Sequence, residues 1–164
     1  MNAFSVTFFK DRQKFSAAHF TIFADGGVER LHGHNYAVTV ACHGTALEGG
    51  LLFPFHHVKP VVAELCDAWD ERVLLPTEAD WVTLAQRGGQ CEVRLATPLC
   101  SKFYSLPAED VCLLPCNNIS SENLALLFAD ELAARLAGKV SNLTEIEVAI
   151  GESAGQHVTV TKKV

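Results

Sequence analysis

The 164-residue sequence has no basic stripe. Lys and Arg number 13 against 19 Asp and Glu, giving a formal charge of -6. The pI lies near 5.6, so the surface lacks the cations that neutralise phosphates in nucleic-acid binding. An anion bound here needs a local pocket. Nor does any apolar run approach the ~20 residues that a membrane-spanning helix requires. Lys10, Asp11 and Arg12 interrupt the N-terminus before a secretory apolar core of adequate length. The expectation is a cytoplasmic protein with no nucleic-acid or membrane partner. The cysteines, Cys42, Cys66, Cys91, Cys100, Cys112 and Cys116, include no CxxC pair and no regular spacing. That fits buried thiols in a reducing compartment better than a disulfide framework. Cys91 and Cys100 facing each other across a hairpin is the minor alternative. There is no linker-like stretch and no internal period of about 20 to 50 residues, and residues 1–164 read as one domain of natural size.

What is present is well punctuated. The run AFSVTFFKDRQKFSAAHF, from Ala3 to Phe20, is rich in Phe, Val and Thr and predicts a half-buried strand. A loop marked by Asp25-Gly26-Gly27 follows. NYAVTVACHG then sets Tyr36, Val38, Val40 and Cys42 against Ala37, Thr39, Ala41 and His43, the alternation of a second strand. Strand, loop and strand suggest a long antiparallel hairpin. From His56 to Trp69, Val58, Val61, Val62, Leu65 and Trp69 fall on one helical face, with Pro60 tolerable only in the first turn. Gly88-Gly89 reads as a loop, and the runs broken by Pro98 and Pro107 as an accessory hairpin around residues 90–114. A second helix should start with Ser120 as N-cap and Ile119 and Leu124 as a hydrophobic staple, show Leu124, Leu127, Phe128, Leu132 and Leu136 on its inner face, and stop at Gly138. TEIEVAIGES and QHVTVTKK, joined by Ala154-Gly155, predict a closing hairpin. The order ββα, insertion, αββ gives an α+β fold: an antiparallel four-stranded sheet with two helices on one face, and a hint of loose duplication.

The chemistry-bearing residues cluster around ERLHGHNY. His32 and His34 are two apart, so in an extended strand both rings leave one face about 6.6 Å apart. Gly33 between them removes a side chain where the backbone must bend or be approached closely. His19 ends the first strand of the same hairpin, where antiparallel pairing can bring it alongside. Three imidazoles with no evident fourth protein ligand describe a catalytic-type zinc site with an open position. HxH pairs also occur in ordinary strands, and spacing alone leaves both readings open. Glu29, three residues before His32, is either a general base or a solvated loop acid. Asp70 and Glu71 end the first helix, where acids oppose the macrodipole, so something besides helix stability retains them. Glu152 sits beside a turn. His43, His56, His57 and His157, like the cysteines, read as structural.

In this order and at these separations, FSAAHF, LHGHNY, SSENLA and VAIGES resemble the 6-pyruvoyltetrahydropterin synthase and 6-carboxytetrahydropterin synthase family over nearly the whole chain. The resemblance implies the family's tunnelling fold. It also implies a homo-oligomer, with trimers closing through their sheets into a barrel and stacking in pairs as a hexamer whose active sites lie between subunits. Position by position, it makes His19, His32 and His34 zinc ligands and Glu152 the pterin anchor, whose carboxylate accepts two parallel hydrogen bonds from the ring N–H and 2-amino group. Ser120 and Ser121 match the pair bordering the pterin pocket. Three departures matter. Val28 stands where the catalytic Cys is usual, Asp70-Glu71 where an Asp-His pair is usual, and Pro54 where an Asp is frequent. Glu29 instead resembles the branch written E-x-L-HGHNY, as does DERVLLP. That branch cleaves the side chain of 7,8-dihydroneopterin triphosphate to 6-hydroxymethyl-7,8-dihydropterin, a folate precursor.

The function so implied is a zinc-dependent lyase with Glu29 as general acid/base. Asp70 and Glu71 would relay or orient protons. The triphosphate would need cations such as Arg30, Lys14 or Lys59. Two alternatives stay open. One is a 6-pyruvoyl- or 6-carboxytetrahydropterin synthase, of a biopterin or queuosine-type pathway, that takes its thiol from Cys112 or Cys116. The other is a zinc- and pterin-binding protein without catalysis, which would have no need of an acid at position 29.

Overall fold

The computed structural model describes residues 3–9 and 13–164. Its centre is a long strand, β3 (His32–Gly44), with neighbours along both sides. On one side β1 (Phe4–Phe8) and β2 (Lys14–His19) lie end to end, with Phe8 opposite Val40 and Lys14 opposite Ala37. The single strand expected over 3–20 is therefore two strands sharing one partner. Lys10, Asp11 and Arg12, where the two part, lie outside the described residues. On the other side runs β9 (Glu145–Ser153), followed by β10 (Gln156–Lys163). The turn between them is the expected Ala154-Gly155, with Gly155 at φ 110°, a conformation that glycine adopts without a Cβ penalty.

The expected four-stranded antiparallel sheet needs correction. The antiparallel part exists, but β4 (Arg72–Pro76) adds to β2 in parallel and β8 (Val111–Leu114) adds to β4 in parallel. The result is a seven-stranded mixed sheet ordered β10-β9-β3-β2-β4-β8, with β1 on β3. RVLLP is a short apolar run with no alternation, and such a run reads equally as strand or as buried loop. Its parallel partner Val111–Leu114 lies far along the chain, so nothing local announces the pairing.

Two helices cover one face. A single 3-10 turn (Phe55–His57) leads into α1 (Lys59–Trp69), with Pro60 in the first turn and Val61, Val62, Leu65, Cys66 and Trp69 buried. α2 (Ser121–Leu136) is capped as expected, the Ser120 hydroxyl accepting the Asn123 N–H at 3.3 Å. Ile119 and Leu124 are both fully buried, as a staple requires. These faces meet Tyr36, Val38 and Val40 of β3 and Ile146, Val148 and Ile150 of β9 in the main core. Phe15 stacks on Tyr36 with ring centres 4.7 Å apart, and Trp69 meets Phe15 edge-on at 5.3 Å and Phe128 at 5.7 Å. Each fully buried large side chain of this kind contributes about 1.5–3 kcal/mol.

The accessory hairpin expected around 90–114 is a larger unit: a three-stranded antiparallel meander of β5 (Val82–Arg87), β6 (Gln90–Ala96) and β7 (Ser101–Pro107). Gly88 and Gly89, at φ 55° and 78°, form a two-residue turn joining β5 to β6, where both central residues must have positive φ. Residues 111–114 leave the meander for the main sheet. A second core of Phe20, Leu75, Cys91, Val93 and Leu95 fastens the meander to the sheet. Cys91 faces Leu106, not Cys100, and all six cysteines are free thiols. Among the described residues no helix is long and apolar enough to cross a membrane.

Candidate active site

Strand register brings the histidines together. His19 is opposite His32 and Ala17 is opposite His34, so all three rings leave the face that carries Phe15 and Tyr36 further along. Their nearest candidate ligand atoms lie within 4.8 Å of one another. Gly33 allows this spacing, since a Cβ there would stand 3.3 Å from the Ala17 carbonyl oxygen. The expectation of a close backbone approach at Gly33 is met.

Hydrogen bonds orient two of the rings. His19 Nδ1 lies 2.9 Å from the Ile119 carbonyl, and His32 Nδ1 lies 2.7 Å from the Arg30 carbonyl. A carbonyl only accepts, so each Nδ1 donates and Nε2 is the ring nitrogen left for a ligand. His19 is only 1% exposed, and its Nε2 has no hydrogen-bond partner among the described residues. A buried acceptor without a donor is costly, and a cation is the group that suits it. Burial also holds the His19 pKa below its usual value, against the raising effects of the Ile119 carbonyl and the Glu152 charge. Neutral imidazoles with Nδ1 fixed on backbone carbonyls are the ligand state and outer support of zinc-binding histidine. The three residues fit that ion.

Beside the histidines opens a cleft of about 410 Å³ lined by Thr21, Phe23, Glu29, Ser120, Ser121, Glu122, Glu152, Gln156, His157 and Val158. Glu29, Glu152, Ser120 and Ser121, far apart in sequence, thus face one space. Hydrogen bonding from the Thr21 hydroxyl, then the His32 field, hold the Glu29 carboxyl below its usual pKa, against the opposing effect of burial. The Tyr36 hydroxyl reaches Glu152 Oε1 at 3.5 Å. Burial, then the Glu152 charge, push the Tyr36 pKa far up, so the hydroxyl stays a donor. His157, read as structural from the sequence, stands at the lip of this cleft. A neighbouring cavity of about 490 Å³ shares Phe23, Ser120 and Glu122, and neither it nor the first cleft is lined by His19, His32 or His34.

Asp70 and Glu71 lie elsewhere. Asp70 Oδ1 accepts the Ser16 N–H at 2.6 Å, and the Glu71 N–H donates to the Ser16 carbonyl at 2.7 Å. This reciprocal pair docks the end of α1 on β2, and it explains the acid at Asp70 though not that at Glu71, which takes part through its backbone. Glu71, at φ 56°, lines a different cleft with His34, Arg72 and Asp110. Of the suggested phosphate cations, Lys14 is on the face of β2 opposite His19, and Lys59 sits over the Phe55 ring at 5.3 Å. Arg30 is in the loop beside the histidines. The alternative thiols are poorly placed: neither Cys112 nor Cys116 lines the cleft, and burial raises the pKa of both. Sequence reasoning missed Thr21, Phe23, Tyr36 and Lys102. Thr21 and Phe23 read only as loop residues, and Lys102 as one more residue of the accessory segment.

A family model described as 6-pyruvoyl tetrahydropterin synthase matches residues 9–163. A Methanocaldococcus jannaschii protein provisionally named 6-carboxy-5,6,7,8-tetrahydropterin synthase is 37% identical over 145 residues, covering 87% of this chain and 86% of that one. A Pyrococcus horikoshii protein with the same provisional name is 29% identical, covering 91% and 86%. Among solved structures, Plasmodium falciparum 6-pyruvoyl tetrahydropterin synthase superposes with a TM-score of 0.89 at 25% identity over 99% of both chains. Plasmodium vivax 6-pyruvoyltetrahydropterin synthase shares the fold over all of both chains, with a TM-score of 0.90 at 24% identity, and has been solved with a catalytic glutamate changed to alanine.

Proposed function

The chain belongs to the 6-pyruvoyl tetrahydropterin synthase family and is a lyase of that type, and we propose that it cleaves the side chain of 7,8-dihydroneopterin triphosphate to release 6-hydroxymethyl-7,8-dihydropterin. The observation that carries this reading is that Glu29 and Glu152 line one cleft, and that three histidines converge near it. The catalytic glutamate of the vivax protein supports a carboxylate in the role of base.

Glu152 anchors the pterin ring by accepting from its N–H and 2-amino groups, with the Tyr36 hydroxyl steadying the carboxylate. Ser120 and Ser121 border the ring, Ser120 also capping α2. Held below its usual pKa, Glu29 is a carboxylate at neutral pH and is ready to take a proton. In the proposed reaction it removes the proton of the 2′-hydroxyl. The C1′–C2′ bond breaks, C2′ leaves as the aldehyde of a triphosphorylated two-carbon fragment, and the electron pair left on C1′ spreads into the dihydropterin ring. Glu29 then returns the proton to C1′. His19, His32 and His34 would hold zinc, which when bound supplies Lewis-acid polarisation of the side-chain hydroxyls. Glu71, on the separate cleft that His34 also lines, is the proposed proton relay, and Asp70 keeps it in place through Ser16.

The archaeal relatives' provisional name favours a second product, 6-carboxy-5,6,7,8-tetrahydropterin. Incubating the zinc-loaded protein with 7,8-dihydroneopterin triphosphate and identifying the products separates the two. Hydroxymethyl-dihydropterin together with the two-carbon triphosphate supports the proposal. A 6-carboxy or 6-pyruvoyl product, or no turnover, overturns it.

A further inference from the structure

We infer that Lys102, contributed by the β5–β7 meander, is the positioning residue that sets Glu29 for proton transfer. This rests on the reading of Glu29 as the base. Lys102 is anomalous in its strand. On β7 the partly buried residues are Lys102, Tyr104 and Leu106, and Tyr104 and Leu106 pack against the second core, so alternation puts a lysine on the inward side. An ammonium in such a place needs partners, and among the described residues Lys102 forms no ion pair. Its Nζ instead donates to the Glu29 carbonyl at 2.7 Å and approaches the Val28 carbonyl at 3.4 Å.

The rest of the loop is gripped by the same meander and by its flank. The Thr97 hydroxyl donates to the Gly26 carbonyl at 2.6 Å, and Pro98 lies so close that a Cβ on Gly26 would be 3.0 Å from its Cδ. Asn118 clasps Ile22 in both directions, at 3.0 and 2.9 Å, and Ile22 pairs with Val28. Val28 and Leu31 pack on the second core. The segment from Ile22 to Leu31 is therefore a fixed arm, and Lys102 holds it at the residue whose carboxylate must meet the substrate. A meander that lines none of the Glu29 cleft thereby acts on its geometry.

The experiment uses the full-length, zinc-loaded protein with 7,8-dihydroneopterin triphosphate. Lys102→Met and Lys102→Arg are made alone and in the Glu29→Gln background. A base displaced by about 1 Å loses on the order of 100-fold in rate, so Lys102→Met should lower kcat by about 10- to 100-fold. KM and zinc content should stay near those of the unaltered protein. Lys102→Arg, which keeps donors at the same reach, should restore most of the rate and shows that the site tolerates substitution. In Glu29→Gln, where no base remains to position, Lys102→Met should cost little more. An equal loss in both backgrounds overturns the inference and leaves Glu29 as base, as does a Lys102→Met protein of full activity or one that loses zinc. Full activity of Glu29→Gln alone overturns the base reading, and this inference with it.

Discussion

Glu29 and Glu152 face one cleft from different surroundings, and their expected behaviour on substitution differs accordingly. Glu29→Gln keeps size and removes the base, so turnover should fall by ~100- to 10,000-fold while zinc content and pterin binding, measured by fluorescence titration, hold. Thr21 tunes that base. Its hydroxyl favours the ionised carboxylate, so Thr21→Val should let the Glu29 pKa rise toward its usual value. A base works only when deprotonated, and the acid limb of the kcat profile should therefore move to higher pH. An unmoved acid limb would show that another group sets it. Glu152→Gln puts a donor where the pterin has donors, so affinity should weaken by roughly the 1.5–3 kcal/mol of a charged hydrogen bond. Unchanged affinity would reduce Glu152 to a turn residue. These carboxylates and the histidines were legible because they sit in short motifs or at the two-residue period of a strand. Thr21 and Lys102 were not, because the bonds that give them meaning span 8 and 73 residues, and a lone Thr or Lys in a loop-rich segment carries no mark of them.

Among the elements, both helices were visible from their apolar faces and caps, because the helix period and capping chemistry are local. The break between β1 and β2 was not, since both halves pair with the continuous β3 and carry the same β-rich composition. The parallel pairs β2·β4 and β4·β8 have no local signature either. The junction of α1 and β2 shows what such a pairing asks of a residue. Glu71 holds a left-handed conformation, φ 56°, so that its N–H can reach Ser16. For a residue with a Cβ that costs roughly 1–2 kcal/mol, part of which glycine gives back through its more flexible unfolded state. Glu71→Gly should therefore leave stability unchanged or raise it by up to about 1 kcal/mol, while a proton relay at this position would be lost and turnover would drop. Glu71→Gln, which keeps the backbone as it is, should show the same drop. Unchanged turnover in both variants would leave Glu71 with docking alone.

At the scale of the whole molecule, the histidines stand where two cores meet. The chain leaves the main core at Ala17 of β2, ends that strand at His19, and enters the second core at Phe20. The same ring is tied through Ile119 to the start of α2. His32 and His34 are only partly buried and both cores are built from apolar side chains, so most of the packing that holds sheet, helices and meander is made without what the histidines bind. Metal removal should accordingly stop the reaction without unfolding the chain. The purified protein should carry about one zinc per chain. A chelator should abolish turnover and leave the far-UV circular dichroism intact. Binding to the folded state alone is worth about 2.7 kcal/mol at a hundredfold excess of free ion over Kd, which for a chain of this length lowers the thermal midpoint of the stripped protein by about 5–10 °C. His34→Ala should imitate the stripped protein in both respects, because two imidazoles hold the ion poorly. A preparation that is fully active with no metal would remove zinc from the mechanism. Collapse of the circular dichroism on chelation would show instead that the two cores are joined through the ion.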